Sequence, residues 1–216
     1  MERPSFEVSA ASHEDADRIA AIHLAAMDSN LLLHAQFPTS ESLWALQDFL
    51  AVWTHSQLRD PRSQVLVARD PSSGEIVSFV KWDLPVLPEA PSVESDEINW
   101  PTGSCRVYLD AYTHLAEEAK KKVTRDKPCY RVTFICTDPR WQGRGAGSLL
   151  MTRVPEDAQA AGIPVYLEST VEAVKMYQEL GFVAVDEFRM KIPKRGCTEP
   201  DEEYEELCML WSPRPC

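Results

Sequence analysis

The stretch Tyr130–Leu150, YRVTFICTDPRWQGRGAGSLL, decides how the rest of the chain is read. Tyr130–Thr137 has the composition of a strand. A short turn follows, and then Gly143, Gly145 and Gly147 open an amphipathic helix. Glycine lets a backbone adopt positive φ and lets a ligand approach without interference from Cβ. The helix start adds free N–H groups and the positive end of its dipole, so a pyrophosphate is the natural guest. Position 148 is Ser, which rules out the dinucleotide fingerprint G-x-G-x-x-G, and no Lys follows to make a Walker A loop. Taken alone, the same pattern also serves as a tight glycine turn with no ligand.

Working outward, Phe6–Ala10 reads as a first strand and His13–Met27 as a helix with Ala16, Ile19, Ala20, His23, Leu24 and Met27 on one face. Ser12 is its N-cap, supported by Asp15 three residues on. Asp28–Pro38 is too short and irregular for a long helix, and Ser42–Gln57 is helical with Thr39 or Ser40 as cap. Gln64–Ala68 and Glu75–Trp82 flank the turn cluster RDPSSG and form an antiparallel hairpin. Leu84–Gly103 is rich in proline and acids and reads as an excursion loop. Cys105–Arg125 is helical, with Val107, Tyr108, Ala111, Tyr112, Leu115 and Ala119 on one side.

Beyond the central stretch, the helix from Gly145 continues to Ala161 with a kink or break expected at Pro155. Val165–Glu168 is a short buried strand, Val171–Leu180 a helix ended by Gly181, and Val183–Ile192 a strand. An acidic loop, Gly196–Glu206, precedes a last strand, Leu207–Trp211. The result is a mixed α/β (α+β) chain, read as one domain over 1–216 with 84–128 inserted before the central strand.

The 216 residues carry 34 acidic and 22 basic side chains, a formal charge of −12, which disfavours a nucleic-acid partner and suits a cationic substrate. No apolar run reaches the length of a membrane span. Six cysteines without a C-x-x-C pair suggest reduced thiols in the cytoplasm and no metal site.

The chain resembles the GNAT superfamily of N-acetyltransferases. Gln142–Gly147 matches the family's acyl-CoA loop Q/R-x-x-G-x-G/A. Ile135, Thr137 and Pro139 match its strand-end L-x-V-x-P, and Ala173, Tyr177, Gly181 and Phe182 match A-x-x-L-Y-x-x-x-G-F. The W-P-x-G segment at Trp100–Gly103 and VYLES before the last helix look most like a fungal branch. The resemblance covers Tyr130–Ile192 closely and the remainder only topologically.

It implies a mixed, mostly antiparallel central sheet flanked by helices, whose two central strands, Tyr130–Thr137 and Val165–Glu168, splay around acetyl-CoA. The backbone of Ile135, Cys136 and Thr137 would pair with the pantetheine arm, and an N–H near Thr137 would polarise the thioester carbonyl. Gln142, Gly143, Arg144, Gly145, Ala146, Gly147 and Ser148 would hold the pyrophosphate. Thr170 stands seven residues before Tyr177, where many members carry Asn or Ser, and offers a hydroxyl. Tyr177 would protonate the departing thiolate; as a residue alone, it also suits a core position beside Val174, Met176 and Leu180.

Glu168 is the first candidate for general base, Asp138 the second, with His34 and His114 outside the pattern. Arg140, Arg144 and Lys175 are candidate counter-charges for the coenzyme, Arg144 foremost. Trp44, Trp53, Trp82, Trp100, Tyr108 and Tyr112 are available to wall an acceptor pocket, although aromatic residues at such spacing more often serve the core. The expected activity is acetyl transfer from acetyl-CoA to the amine of a small molecule by direct attack, in a monomer or homodimer without metal. The alternatives are a protein lysine or N-terminus as acceptor, or an acyl-CoA-binding module without turnover.

Overall fold

The computed structural model describes residues 5–86 and 98–214. Seven strands form one sheet in the order β1-β2-β3-β4-β5-β7-β6. They are β1 (Glu7–Ala10), β2 (Ser63–Arg69), β3 (Ile76–Asp83), β4 (Tyr130–Thr137), β5 (Val165–Thr170), β6 (Val183–Ile192) and β7 (Glu202–Trp211). Every neighbouring pair is antiparallel except β4 and β5. Among the described residues six α-helices accompany them: α1 (Ala16–Met27), α2 (Leu31–Gln36), α3 (Ser40–Gln57), α4 (Arg106–Thr124), α5 (Ala146–Ala161) and α6 (Val174–Glu179).

The period of two along each strand divides the side chains between two layers. Val77, Val80, Val132, Leu167 and Met209 join Leu150, Val154 and Tyr177 on the α5–α6 side. On the opposite side Val67, Phe79 and Cys136 meet Ile19 and Ile22 of α1, and Tyr166, Phe188 and Cys208 meet Ala116 and Ala119 of α4. Helix starts are fixed locally. The Asp15 carboxylate accepts from the Ser12 N–H at 2.8 Å, and Thr39 with Ser42 closes a reciprocal box ahead of α3.

The structure refines some expectations and corrects others. Residues 31–36 make one short helix, α2, started by the Asn30 side chain accepting from the Leu32 N–H at 2.8 Å. α5 runs unbroken through Pro155. Proline removes one backbone bond there, but Leu150, Met151, Val154 and Ala158 are all buried against the sheet, and that packing keeps the helix continuous. β5 extends to Thr170. β7 begins at Glu202, so half of the expected acidic loop is strand; antiparallel pairing with β6 runs out to Ile192↔Glu202. On α4 the inward positions are Leu109, Ala116 and Ala119, with Tyr112 half-buried between them, whereas Val107 is exposed. The expected excursion loop is irregular at 84–86 and 98–103; its middle, 87–97, lies outside the described residues.

Candidate active site

β4 and β5 are partners over three residues only: Tyr130↔Val165, Arg131↔Tyr166 and Val132↔Leu167. Beyond these, each keeps its outer neighbour and loses its inner one. β4 stays paired with β3 as far as Thr137, and β5 stays paired with β7 as far as Thr170. The cause of the divergence is local. Between Lys81↔Phe134 and Trp82↔Val132, β4 carries one extra residue, Thr133, a bulge that bends the strand where its pairing to β5 stops. A cavity of about 1990 Å³ occupies the opening and reaches both faces of the sheet. Ile135, Cys136 and Thr137 line one edge, and Glu168, Ser169 and Thr170 the other.

The glycine loop closes the α5 end of the cavity, whose lining includes Gln142 to Ser148. Gly143 and Gly145 have φ of +72° and +92°, values that L side chains rarely adopt. Gly147 is needed for a different reason: a Cβ there would lie 3.2 Å from Thr137 Oγ1 and 3.6 Å from Ile135 Cδ1. Loop and strand end are therefore in contact. α5 starts at Gly145 without a side-chain cap, and its first-turn N–H groups have no protein acceptor of that kind. Gln142 reaches back to donate to the Thr137 carbonyl at 3.4 Å.

Tyr177, on α6, is 4% exposed and packs edge-on against Phe182, with ring centroids 5.7 Å apart. It is both a core residue and a cavity residue. Burial, with smaller contributions from Cys136 and Glu206, raises its pKa, so the phenol stays protonated at neutral pH.

The candidate acids differ in their surroundings. Glu168 borders the cavity and accepts from Arg131 at 2.9 Å; the same guanidinium also pairs with Glu117. Burial raises the Glu168 pKa while Arg131 pulls it down. Asp138 lies behind the loop and not on the cavity wall. Arg140 and Arg18 donate to its Oδ2 at 2.8 and 2.6 Å, holding it well below the ordinary carboxylate range. Two guanidiniums make it a poor base. Arg140 is likewise committed to Asp138 and Glu75. Arg144 is exposed with its guanidinium 4.7 Å above the Trp141 ring, and Lys175 lines the cavity. The His34 Nε2 lies 2.7 Å from the Asp28 carbonyl, and His114 is exposed; neither borders the cavity. Of the aromatic candidates Trp53, Trp100 and Tyr112 line it, Trp82 is core, Tyr108 packs with Leu32 and Ile192, and Trp44 is 68% exposed.

Two cavity residues escaped the sequence reading as candidates for chemistry. Glu206, assigned there to an acidic loop, sits on β7 opposite Thr170 and is 6% exposed. Its carboxylate accepts from Tyr204 at 2.5 Å and Tyr112 at 3.0 Å. Burial lifts its pKa to about 7 against the pull of those two hydroxyls. His23, read as a helix-face residue, is buried against Phe134 with Nδ1 unpartnered among the described residues. Burial, reinforced by Lys81, lowers its pKa to about 3.

The family model of the GNAT acetyltransferase domain matches residues 111–191, from within α4 to the end of β6. This part of the chain is similar to the GNAT acetyltransferase domain. An uncharacterized N-acetyltransferase from Schizosaccharomyces pombe is 37% identical over 51 residues, and that match takes in 24% of this chain and only 22% of the yeast protein. Solved structures extend the likeness to the whole GNAT fold. A Corynebacterium glutamicum protein, titled histone acetyltransferase HPA2 and related acetyltransferase, superposes with a TM-score of 0.59 at 22% identity, covering 98% of each chain. A mosquito arylalkylamine N-acetyltransferase-like protein gives 0.60 at 16% identity, covering 96% of this chain and 100% of its own. At such identities the structures speak for the fold: a mostly antiparallel sheet with helices on both faces. Among the described residues no cluster of His, Cys, Asp or Glu is arranged to hold a metal, and no helix is long and apolar enough to cross a membrane.

Proposed function

We propose that the chain is an acetyl-CoA-dependent N-acetyltransferase acting on a small amine by direct transfer. The opening between β4 and β5, with an uncapped glycine loop at one end and the buried Tyr177 phenol on its wall, is the observation that carries this reading. The fit to the coenzyme is physical. A Cβ at position 147 would fill the cradle where loop meets strand, and the inner edge of β4 after Val132 has no strand beside it.

Acetyl-CoA supplies the acetyl group already activated as a thioester. Gln142 to Ser148 direct backbone N–H groups at its phosphates, while Ile135, Cys136 and Thr137 offer a strand edge to its pantetheine arm. The N–H near Thr137 stabilises charge growing on the carbonyl oxygen, and Tyr177 gives its proton to the departing sulfur. Thr170 adds a hydroxyl at the β5 side. The same reading takes 1–216 as one domain with 84–128 as an insertion, present as a monomer or homodimer in the cytoplasm.

The structural neighbours described above carry a histone acetyltransferase name and an arylalkylamine N-acetyltransferase name, so they do not choose between protein and small-molecule acceptors. The cavity's lining favours a small acceptor, because its non-coenzyme side is walled by α2, α3 and α4 with Trp53 and Trp100. The test is thiol release from acetyl-CoA over a panel of primary amines and a lysine-rich peptide, with coenzyme binding measured by calorimetry. Turnover on small amines and loss of coenzyme binding in Gly145→Asp are expected. Coenzyme binding without release on any acceptor would favour a sensing module, and a wild type as unable as Gly145→Asp to bind coenzyme would remove the reading.

A further inference from the structure

Glu206 belongs to no part of the coenzyme site. It lies on the α4 side of the sheet, with Tyr112, Tyr166 and Glu168, whereas the glycine loop, α5 and Tyr177 belong to the other side. The opening between β4 and β5 joins the two. Each Glu206 oxygen accepts one tyrosine hydroxyl, Oε1 from Tyr204 and Oε2 from Tyr112, and Asn30 donates in turn to Tyr204 at 3.3 Å. This arrangement fixes the carboxylate and leaves lone pairs over.

What it lacks is a cation. Among the described residues no Lys, Arg or His pairs with Glu206, although Glu168 beside it is matched by Arg131. A buried carboxylate without counter-charge is costly, and three further groups around it are acidic or neutral. Glu168 faces it from β5 with Arg131 and Glu117 behind, Cys208 from its own strand, and Tyr177 lies across the opening on α6. Glu203 and Glu205 alternate to the other side of β7, where Arg189 meets them.

The apolar wall begins one helix turn away. On α2, Leu32 packs with Ile192 near Tyr112 and Tyr204, while its neighbour Leu33 packs with Leu46 and Leu50. α4 makes the same join through Leu109 and Tyr112. Leu33, Phe37, Leu50, Trp53, Trp100 and Phe134 continue the cavity from there.

We propose that Glu206 is the acceptor subsite: it pairs with the ammonium of a primary amine carrying an apolar or aromatic body and takes the proton that frees the nitrogen. This rests on the transferase reading above. In the step, R–NH₃⁺ and the carboxylate become R–NH₂ and the neutral acid. The nitrogen lone pair then forms the C–N bond as the C–S bond breaks. Sulfur leaves with the Tyr177 proton, the second nitrogen proton restores the phenol, and Glu206 releases its own to water.

Two measurements test it on the full chain. Calorimetry without coenzyme, using 2-phenylethylamine, hexylamine and ethanolamine, reads the subsite directly. Glu206→Gln should bind 2-phenylethylamine at least about tenfold more weakly than wild type, and wild type should prefer it to ethanolamine by about the same factor. Thiol release at pH 7 should fall roughly 10²-fold or more in Glu206→Gln, with coenzyme affinity unchanged. Should that variant fail to fold, Tyr112→Phe decides: removing one donor should move the acidic limb of kcat/KM to higher pH, a shift that a packing role would not produce. Equal amine affinity in wild type and Glu206→Gln, no amine binding by wild type, or an unmoved limb in Tyr112→Phe overturns the proposal. Amine binding that depends on Glu206 in a chain that binds no coenzyme would uphold the subsite and sink the transferase reading instead.

Discussion

Tyr177 is a core residue that also borders the cavity, where the proposed transfer needs a proton donor. Its ring fills space against Phe182, and its hydroxyl has no hydrogen-bond partner among the described residues while the residue borders the cavity. Tyr177→Phe keeps the ring and deletes only the proton. It should lower kcat roughly 10²-fold while coenzyme affinity holds and stability moves by no more than about 1 kcal/mol. Parallel calorimetry, kinetics and urea melts separate these; unchanged turnover would leave Tyr177 a core residue only. Its place on the cavity wall was legible because A-V-K-M-Y-Q-E-L-G-F fixes its position relative to Gly181. Glu206 was not legible as a site, since an acidic run reads first as solvated loop. A signal was nevertheless present: Tyr204, Glu206, Cys208 and Leu210 alternate with Glu205, Leu207, Met209 and Trp211, the period of a strand that puts Tyr204 and Glu206 on one face.

At the scale of elements, the contact between the α5 start and the β4 end governs the coenzyme side. Gly147 lacks the positive φ of Gly143 and Gly145, so space and not backbone strain defines it. Gly147→Ala asks Thr137 and Ile135 to yield by a few tenths of an ångström and should weaken coenzyme binding only slightly. Gly147→Val brings a branched side chain into the same 3.2 Å gap and should weaken it at least about tenfold, as read by calorimetry. Equal affinities for both variants would show that loop and strand are not coupled. The loop, its strand and its helix were readable because turn chemistry, periodicity and spacing agree there. The bulge at Thr133 was not, because a bulge depends on the partner's register and a single strand carries no mark of it. Continuity through Pro155 was hidden for a similar reason: local propensity argues for a break, and burial of Leu150, Met151, Val154 and Ala158 overrides it.

Across the whole molecule α1 and α4, two helices on one face of the sheet, cover buried titratable groups of opposite effect that line the same cavity. His23, under α1, has its pKa lowered from 6.5 to about 3, so its stabilising contribution is complete above pH 6.5 and is lost as pH falls. Glu206, under α4, has its pKa raised from 4.5 to about 7, so its contribution is complete below pH 4.5 and is lost as pH rises through 7. Between pH 5 and 6.5 both slopes act, each approaching a limit of about 1.4 kcal/mol per pH unit, and they oppose. Acidification across that window should therefore cost the His23 side about 2 kcal/mol and return a similar amount through Glu206, so that these two contributions largely cancel. Each substitution should expose the other group. Glu206→Gln should lose about 2 kcal/mol on going from pH 6.5 to 5, and His23→Leu should gain about as much. The double variant should respond to pH much as wild type does, since the groups act independently through the protons they bind. Urea midpoints at pH 5 and 6.5 measure all four chains. Parallel shifts in the two single variants would show that the burial of these groups does not set the protein's response to acid.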